Sequence, residues 1–157
     1  MKLPSAPLGD QKIPFDNNEV TKFEPFADKW FDKDGPLKTL HDINPIRLRY
    51  IQQKMDLLNI SVADIGCGAG ILSESMYIHG ATVHAIDLNE KLIEAGKAHA
   101  LSNKLDIHYE VCSSETFATQ RPNEFVVVVI YELFVGGRGG GGVGGGWRGG
   151  GGGGGVG

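Results

Sequence analysis

The sequence predicts an α/β fold, a parallel sheet of about four strands with helices on both faces. Three features carry that expectation. Short apolar runs alternate with stretches of helical period, a glycine cluster closes the first run, and an aspartate closes the second.

Taken in order, residues 1–16 mix Pro, Lys and Asp without period and read as a flexible arm. From Asn17 the positions Val20, Phe23, Phe26, Ala27, Trp30 and Phe31 recur at helical steps, with Asn17 or Asn18 as the cap. Asp34-Gly35-Pro36 stops this helix. A polar stretch, Leu37 to Asn44, then leads to a second helix in which Asn44 caps and Pro45 occupies the first turn. Ile60 to Ile65 is a strand that runs into Gly66-Cys67-Gly68-Ala69-Gly70. A helix over Ile71–His79 follows and ends at Gly80. Thr82 to Ile86 is the second strand, Asn89 caps a helix reaching Ala100, and Ile107 to Val111 is the third strand. Glu124 to Tyr131 is a continuous β-branched run suited to a central strand covered on both faces.

Composition narrows the function. The 157 residues carry a formal net charge of −4 and no basic run, so phosphate-tracking contact with nucleic acid is not expected. Cys67 and Cys112 have no metal-ligand spacing and read as reduced thiols. His41, His79, His84, His99 and His108 likewise show no ligand spacing and read as surface or core-edge histidines. No apolar run approaches the roughly 20 residues of a membrane span. Residues 1–16 also lack a secretory signal's apolar centre, so a soluble, cytoplasmic chain starting near its natural beginning is expected.

The chemistry is concentrated around the glycines. Gly66, Gly68 and Gly70 allow a tight strand-to-helix turn and close backbone approach to a ligand, and the following helix points free amides at it. Dinucleotide enzymes also use such a turn, but with G-x-G-x-x-G spacing; here the spacing is G-x-G-x-G, and position 71 is Ile. Asp64, two residues before the first glycine, is ill placed beside a pyrophosphate. It suits a ligand with an ammonium and a sulfonium, S-adenosylmethionine, or else it is satisfied by nearby backbone amides. Asp87, at the end of the second strand, is placed to accept both ribose hydroxyls, or else simply caps the next helix. Ser114 and Glu115 lie where an adenine would cross the sheet edge, or in an ordinary polar loop. A nicotinamide-dependent oxidoreductase and a non-catalytic methyltransferase-like binding module are the alternative readings.

From Val20 to Glu132 the chain resembles the ubiquinone-biosynthesis O-methyltransferases. The resemblance rests on Lys22-Phe23 through Trp30-Phe31-Asp32, on Leu40-His-Asp-Ile-Asn-Pro-Ile-Arg-Leu-Arg-Tyr-Ile51, and on Asp64 through Met76 with Gly80-Ala-Thr-Val83. The glycine motif belongs to a very large superfamily; the Leu40–Ile51 segment is narrower and sets the family. The resemblance implies a Rossmann-like class I methyltransferase sheet and methylation of a polyprenyl catechol or demethylubiquinol hydroxyl. It implies S-adenosylmethionine as cofactor, a polyprenyl phenol or quinol as substrate, and a divalent metal such as Mg2+ in the intact family. It also implies peripheral contact with the inner membrane, or with a ubiquinone-biosynthesis complex, in the intact protein. Arg47 matches an arginine that approaches the methionyl carboxylate. Gly66 and Asp87 match the loop and ribose positions, and Tyr131 matches a pocket-lining position usually held by Met.

The departures lie at the end. The family's Glu-x-x-Glu-His segment, its metal-binding candidate, is represented here by Glu132 alone, with Val135 and Gly136 at the partner positions. Of the 24 glycines, 17 fall within Gly136–Gly157, too small a set of side chains to bury a strand. Residues 17–135 are therefore expected to be the N-terminal part of a cofactor-binding domain, incomplete in its sheet, and 136–157 a Gly-rich disordered tail. Gly, Val, Trp and Arg are all encoded by GGG or by triplets one base from it, which marks the tail as a sequence artefact. The chain as written is expected to bind cofactor weakly or not at all, and not to turn over. Resequencing the 3′ end of the gene is expected to replace the glycine codons; a clean read that reproduces them overturns this.

Overall fold

The β-branched runs form strands where neighbours on both faces need flat, half-buried surface. The computed structural model describes residues 17–125 and 127–130. Within these, α1 spans Asn17–Thr21, a 3-10 helix spans Glu24–Lys29, and α2 spans Lys38–Lys54. There follow β1 (Ser61–Ile65), α3 (Ile71–Ile78), β2 (Thr82–Asp87) and α4 (Glu90–Ser102). β3 (His108–Val111), α5 (Ser114–Gln120) and β4 (Val127–Ile130) complete the described chain. The arm expected over 1–16, Val126, the pocket position Tyr131, the metal position Glu132 and the tail 136–157 lie outside the described residues.

The sheet order is β3-β2-β1-β4 and every pairing is parallel. Register is continuous from Ser61 opposite Thr82 to Ile65 opposite Ile86, and from Val62 opposite Val127 to Ile65 opposite Ile130. Because side chains alternate, the strands bury two different sets. Val62 and Val83 join Ile51, Leu57, Leu72, Met76 and Ala81 under α2 and α3. Tyr109 and Ala85 pack with Ile93 and Ala100 of α4. On the opposite face Ala63, Ile65 and Ile86 meet Phe117 of α5, with Phe125 beside them. The expected α/β sheet with helices on both faces is present.

Four details differ from the sequence reading. The single helix expected from Asn17 through Phe31 is split, because Pro25 lacks an amide hydrogen and disfavours helical geometry at the residue before it; a 3-10 turn begins there instead. The second helix begins at Lys38, not at Asn44. Asn44 is no cap: its side-chain amide donates to Ser75 Oγ at 2.8 Å, tying α2 to α3. Pro45 consequently lies inside the helix on its exposed side. Ser114 and Glu115 belong to a helix absent from the sequence reading, capped by Ser113, whose Oγ accepts the Thr116 amide at 3.1 Å. Lastly Glu124 and Phe125, expected to open the fourth strand, precede it; β4 pairs only with β1 among the described residues, the edge position expected of a sheet that is incomplete.

Gly96 lies in α4 where a Cβ would come 2.5 Å from the Ala69 carbonyl oxygen and 2.8 Å from the Tyr109 ring. Helix propensity alone makes Gly→Ala stabilising by about 1 kcal/mol. Here the backbone contact reverses the sign. Gly96→Ala is expected to destabilise the fold by ~1–3 kcal/mol, read as a lower urea midpoint, and an unchanged or raised midpoint refutes this packing.

Candidate functional site

The chain runs outward from β1 through β2 to β3, then returns to lay β4 on the other side of β1. Successive connections leave the β1/β4 boundary on opposite faces, since α3 covers one and α5 the other. A crevice opens at the carboxyl ends of strands where the order reverses in this way. The glycine loop emerges there, directly from the end of β1.

The loop is held by its own backbone and by β2. The amides of Gly66 and Cys67 both donate to the Ile86 carbonyl, at 2.9 and 3.0 Å. The Gly68 amide donates to Asp87 Oδ2 at 2.9 Å, and the Gly70 amide returns to Cys67 O at 3.0 Å. All three glycines have positive φ, 73°, 61° and 95° in order, a region that disfavours other residues. Their surroundings differ, and this corrects the sequence reading. Gly66 alone is exposed and free for approach by a ligand. The space a Cβ would need at Gly68 is taken by the Trp30 indole, 2.5 Å away, and at Gly70 by the Tyr109 hydroxyl. Tyr109 also donates to the Ala69 carbonyl at 3.2 Å. Two of the three glycines thus serve protein packing.

Asp87 closes β2 with both carboxylate oxygens engaged: Oδ2 with Gly68, and Oδ1 with the Asn89 amide at 2.9 Å. Burial raises its pKa, and the Asn89, Gly68 and Leu88 amides oppose the rise. An ionised carboxylate offers about four lone-pair sites, so acceptor capacity remains for a ligand's hydroxyls. Through the Asn89 amide, Asp87 also orders the residues that lead into α4. Asn89 caps that helix through the Leu92 amide at 3.2 Å, and its side-chain NH2 donates to Val20 O.

Asp64 sits deeper than a ligand-facing acid does. It is 2 % exposed, and its Oδ2 accepts the Ser73 hydroxyl at 2.5 Å. Burial pushes its carboxyl from 3.8 up to about 6; the Ser73 hydrogen bond opposes this, Asp87 adds to it, and the Arg47 charge opposes it weakly. Its partner is a side-chain hydroxyl from the first turn of α3, where the alternative reading expected backbone amides. Arg47 projects from α2, half-buried, within electrostatic reach of Asp64. Ser114 and Glu115 lie exposed in the first turn of α5, after the carboxyl end of β3. The described residues thus gather Arg47, Asp64, Gly66 and Asp87 around one sheet edge. Among them no cluster of three or more His, Cys, Asp or Glu residues could hold a metal ion, and no helix is long and apolar enough to cross a membrane.

Three residues escaped the sequence reading. Along the chain Trp30 reads as one apolar position of a helix; it is 5 % exposed and sits on the loop. His41 reads as a surface or core-edge histidine; its Nε2 lies 2.8 Å from the Trp30 carbonyl. His99, assigned the same way, meets Glu74 Oε1 through Nδ1 at 2.7 Å and stacks on Phe31 at 3.5 Å between ring centroids. These contacts join residues 11 to 68 positions apart, and no local spacing encodes them.

A family profile described as a methyltransferase domain matches residues 62–136. The chain is 47 % identical over 128 residues to a ubiquinone biosynthesis O-methyltransferase of Neisseria meningitidis serogroup A / serotype 4A, an alignment covering 80 % of this chain and 54 % of that one. A protein of the same name from Xanthomonas euvesicatoria pv. vesicatoria is 41 % identical over 119 residues, covering 76 % and 50 %. The chain therefore spans about half the length of the curated relatives it matches. Among solved structures, the magnesium protoporphyrin IX methyltransferase ChlM from Synechocystis PCC 6803 with bound SAM superposes with a TM-score of 0.59 at 17 % identity, covering 76 % of this chain and 61 % of that one. That likeness concerns the fold.

The raised Asp64 carboxyl makes a signed prediction. Between 3.8 and about 6 the folded state binds the proton that the unfolded chain has already lost, so stability falls as pH rises through that window. The gap corresponds to ~3 kcal/mol. Asp64→Asn removes the ionisation and is expected to gain on the parent as pH rises from 4 to 7, measured by urea unfolding. A difference that stays constant over this range refutes the assignment.

Proposed function

We propose that this chain is part of an enzyme of the kind its relatives at 47 % and 41 % identity are named for, a ubiquinone biosynthesis O-methyltransferase, and that its glycine loop, Asp87 and Arg47 bind S-adenosylmethionine for methyl transfer to a phenolic hydroxyl. The observation that carries this reading is Asp87. It stands at the carboxyl end of β2 beside the exposed Gly66, next to the strand β1 at which the order reverses, with lone pairs left over for two vicinal hydroxyls.

The donor set suits the methyl donor better than a dinucleotide. Two buried or half-buried acids, Asp64 and Asp87, border the loop, and they favour a cationic ligand over a pyrophosphate. In this reading Arg47 supplies a positive charge suited to the methionyl carboxylate. The cofactor brings the activated methyl group; the protein's part is to bind, orient and exclude water. Orientation of that kind is worth roughly 7–11 kcal/mol of barrier in favourable cases.

The acceptor in this reading is the catechol or quinol hydroxyl of a polyprenylated ring, the chemistry that the relatives' name denotes. Divalent-metal assistance belongs to the proposal only through Glu132, which lies beyond the described residues. Contact with the inner membrane or with a biosynthetic complex follows from a long prenyl tail on the substrate.

Calorimetry on this chain is expected to show saturable heat with S-adenosylhomocysteine and none with NADH. Asp87→Asn is expected to weaken that binding roughly 10- to 100-fold, the worth of hydrogen bonds to a charged acceptor. Heat with NADH alone would sink the reading.

A further inference from the structure

We infer that His41 and Trp30 are positioning residues for the cofactor loop: His41 holds the Trp30 carbonyl, the indole seats Gly68, and Gly68 fixes the direction of Asp87. The consequence for cofactor binding rests on the function proposed above; the geometry does not.

The connections form a closed circuit. His41 Nε2 lies 2.8 Å from Trp30 O, and since a carbonyl only accepts, this nitrogen carries the proton. Trp30 is buried, edge-on to Phe23 at 5.9 Å between ring centroids, and its six-membered ring occupies the space beside Gly68 where a side chain would stand. Gly68 is itself buried, and its amide donates to Asp87 Oδ2 at 2.9 Å. The other oxygen of Asp87 takes the Asn89 amide, and the Asn89 side chain takes Val20 O. Val20 lies at the start of the segment that carries Trp30. That segment is further tied to α4 by the Glu24–Lys91 ion pair at 2.7 Å, which is exposed and worth little by itself.

The strap from Val20 to Leu37 thus leaves α4 beside Asp87, crosses the loop at Gly68, and is fastened to α2 by His41. Each link is specific. Nothing larger than glycine fits at position 68 with φ at 61° while the indole is present. A Trp30 ring free to move would leave the Gly68 amide, and hence Asp87 Oδ2, without a fixed direction. A carboxylate that must accept two vicinal hydroxyls depends on that direction. His41 and Arg47 lie on the same helix, so α2 would reach the site twice, once through the strap and once directly.

The test uses amide hydrogen exchange on the isotopically labelled, ligand-free chain, followed by titration with S-adenosylhomocysteine. In His41→Ala and in Trp30→Phe the Gly68 amide is expected to exchange about tenfold faster, while the Val83 amide in the middle of β2 keeps the parent's rate. His41→Gln, whose side-chain NH2 can still donate to the Trp30 carbonyl, is expected to restore Gly68 protection. Affinity for S-adenosylhomocysteine is expected to fall about tenfold in His41→Ala and to recover in His41→Gln. Unchanged Gly68 exchange in both His41→Ala and Trp30→Phe overturns the inference. So does equal acceleration at Gly68 and Val83, which is loss of the whole fold's stability. If the parent chain shows no binding at all, the proposed function falls, and the exchange rates still decide this inference.

Discussion

The hydrogen bond from the Gly68 amide to Asp87 joins the two parts of the site. It connects the turn after β1 to the end of β2, and so converts two adjacent parallel strands into one edge with a defined acceptor. The strands supply the spacing, because their register sets Ile65 opposite Ile86, one residue before the loop on one side and before the acid on the other. Given that register, a loop that doubles back can reach the neighbouring strand's last residue without spanning a gap.

The constraint also explains how the glycines divide their work. A turn that brings three amides toward β2 within five residues needs backbone of positive φ, and glycine supplies it without strain. Two of those glycines then face inward, and the protein fills the vacated volume with its own aromatic rings, Trp30 at Gly68 and Tyr109 at Gly70. The loop is therefore a packed element as well as a binding surface. Only Gly66 keeps an open face.

Buried polar groups follow the same logic. Asp64, Ser73, Glu74 and Asn89 are the buried polar or charged side chains among the described residues, and each is paired: Asp64 with Ser73, Glu74 with His99, and Asn89 with Leu92 and Val20. Unpaired, a buried carboxylate costs several kcal/mol. Both pairs involving acids join α3 to a neighbouring element, so the helix that begins at the loop is locked in orientation by polar contacts and not by apolar packing alone.

Local chemistry determined the elements and their chemical types. The β-branched runs, the glycine spacing and the positions of Asp64 and Asp87 are legible along the chain, because strand pleat, positive φ and strand-end placement each depend on a few neighbouring residues. The split at Pro25 was available from the same rules, since proline's missing amide is a local fact. The start of α2 was not: Asn44 reads as a cap until Ser75, 31 residues away, takes its side chain. Nor did any spacing mark Trp30 and His41 as parts of the site, for an indole covering a glycine 38 positions on is a matter of how the strap crosses the sheet. Which acid faces outward was decided by tertiary structure too. Asp64 and Asp87 have the same side chain and lie on the same face of the paired strands, since Asp64 stands opposite Ala85; position along the strand separates them, for Asp64 lies within β1 against Ser73 of α3, while Asp87 is the last residue of β2 and is left partly open.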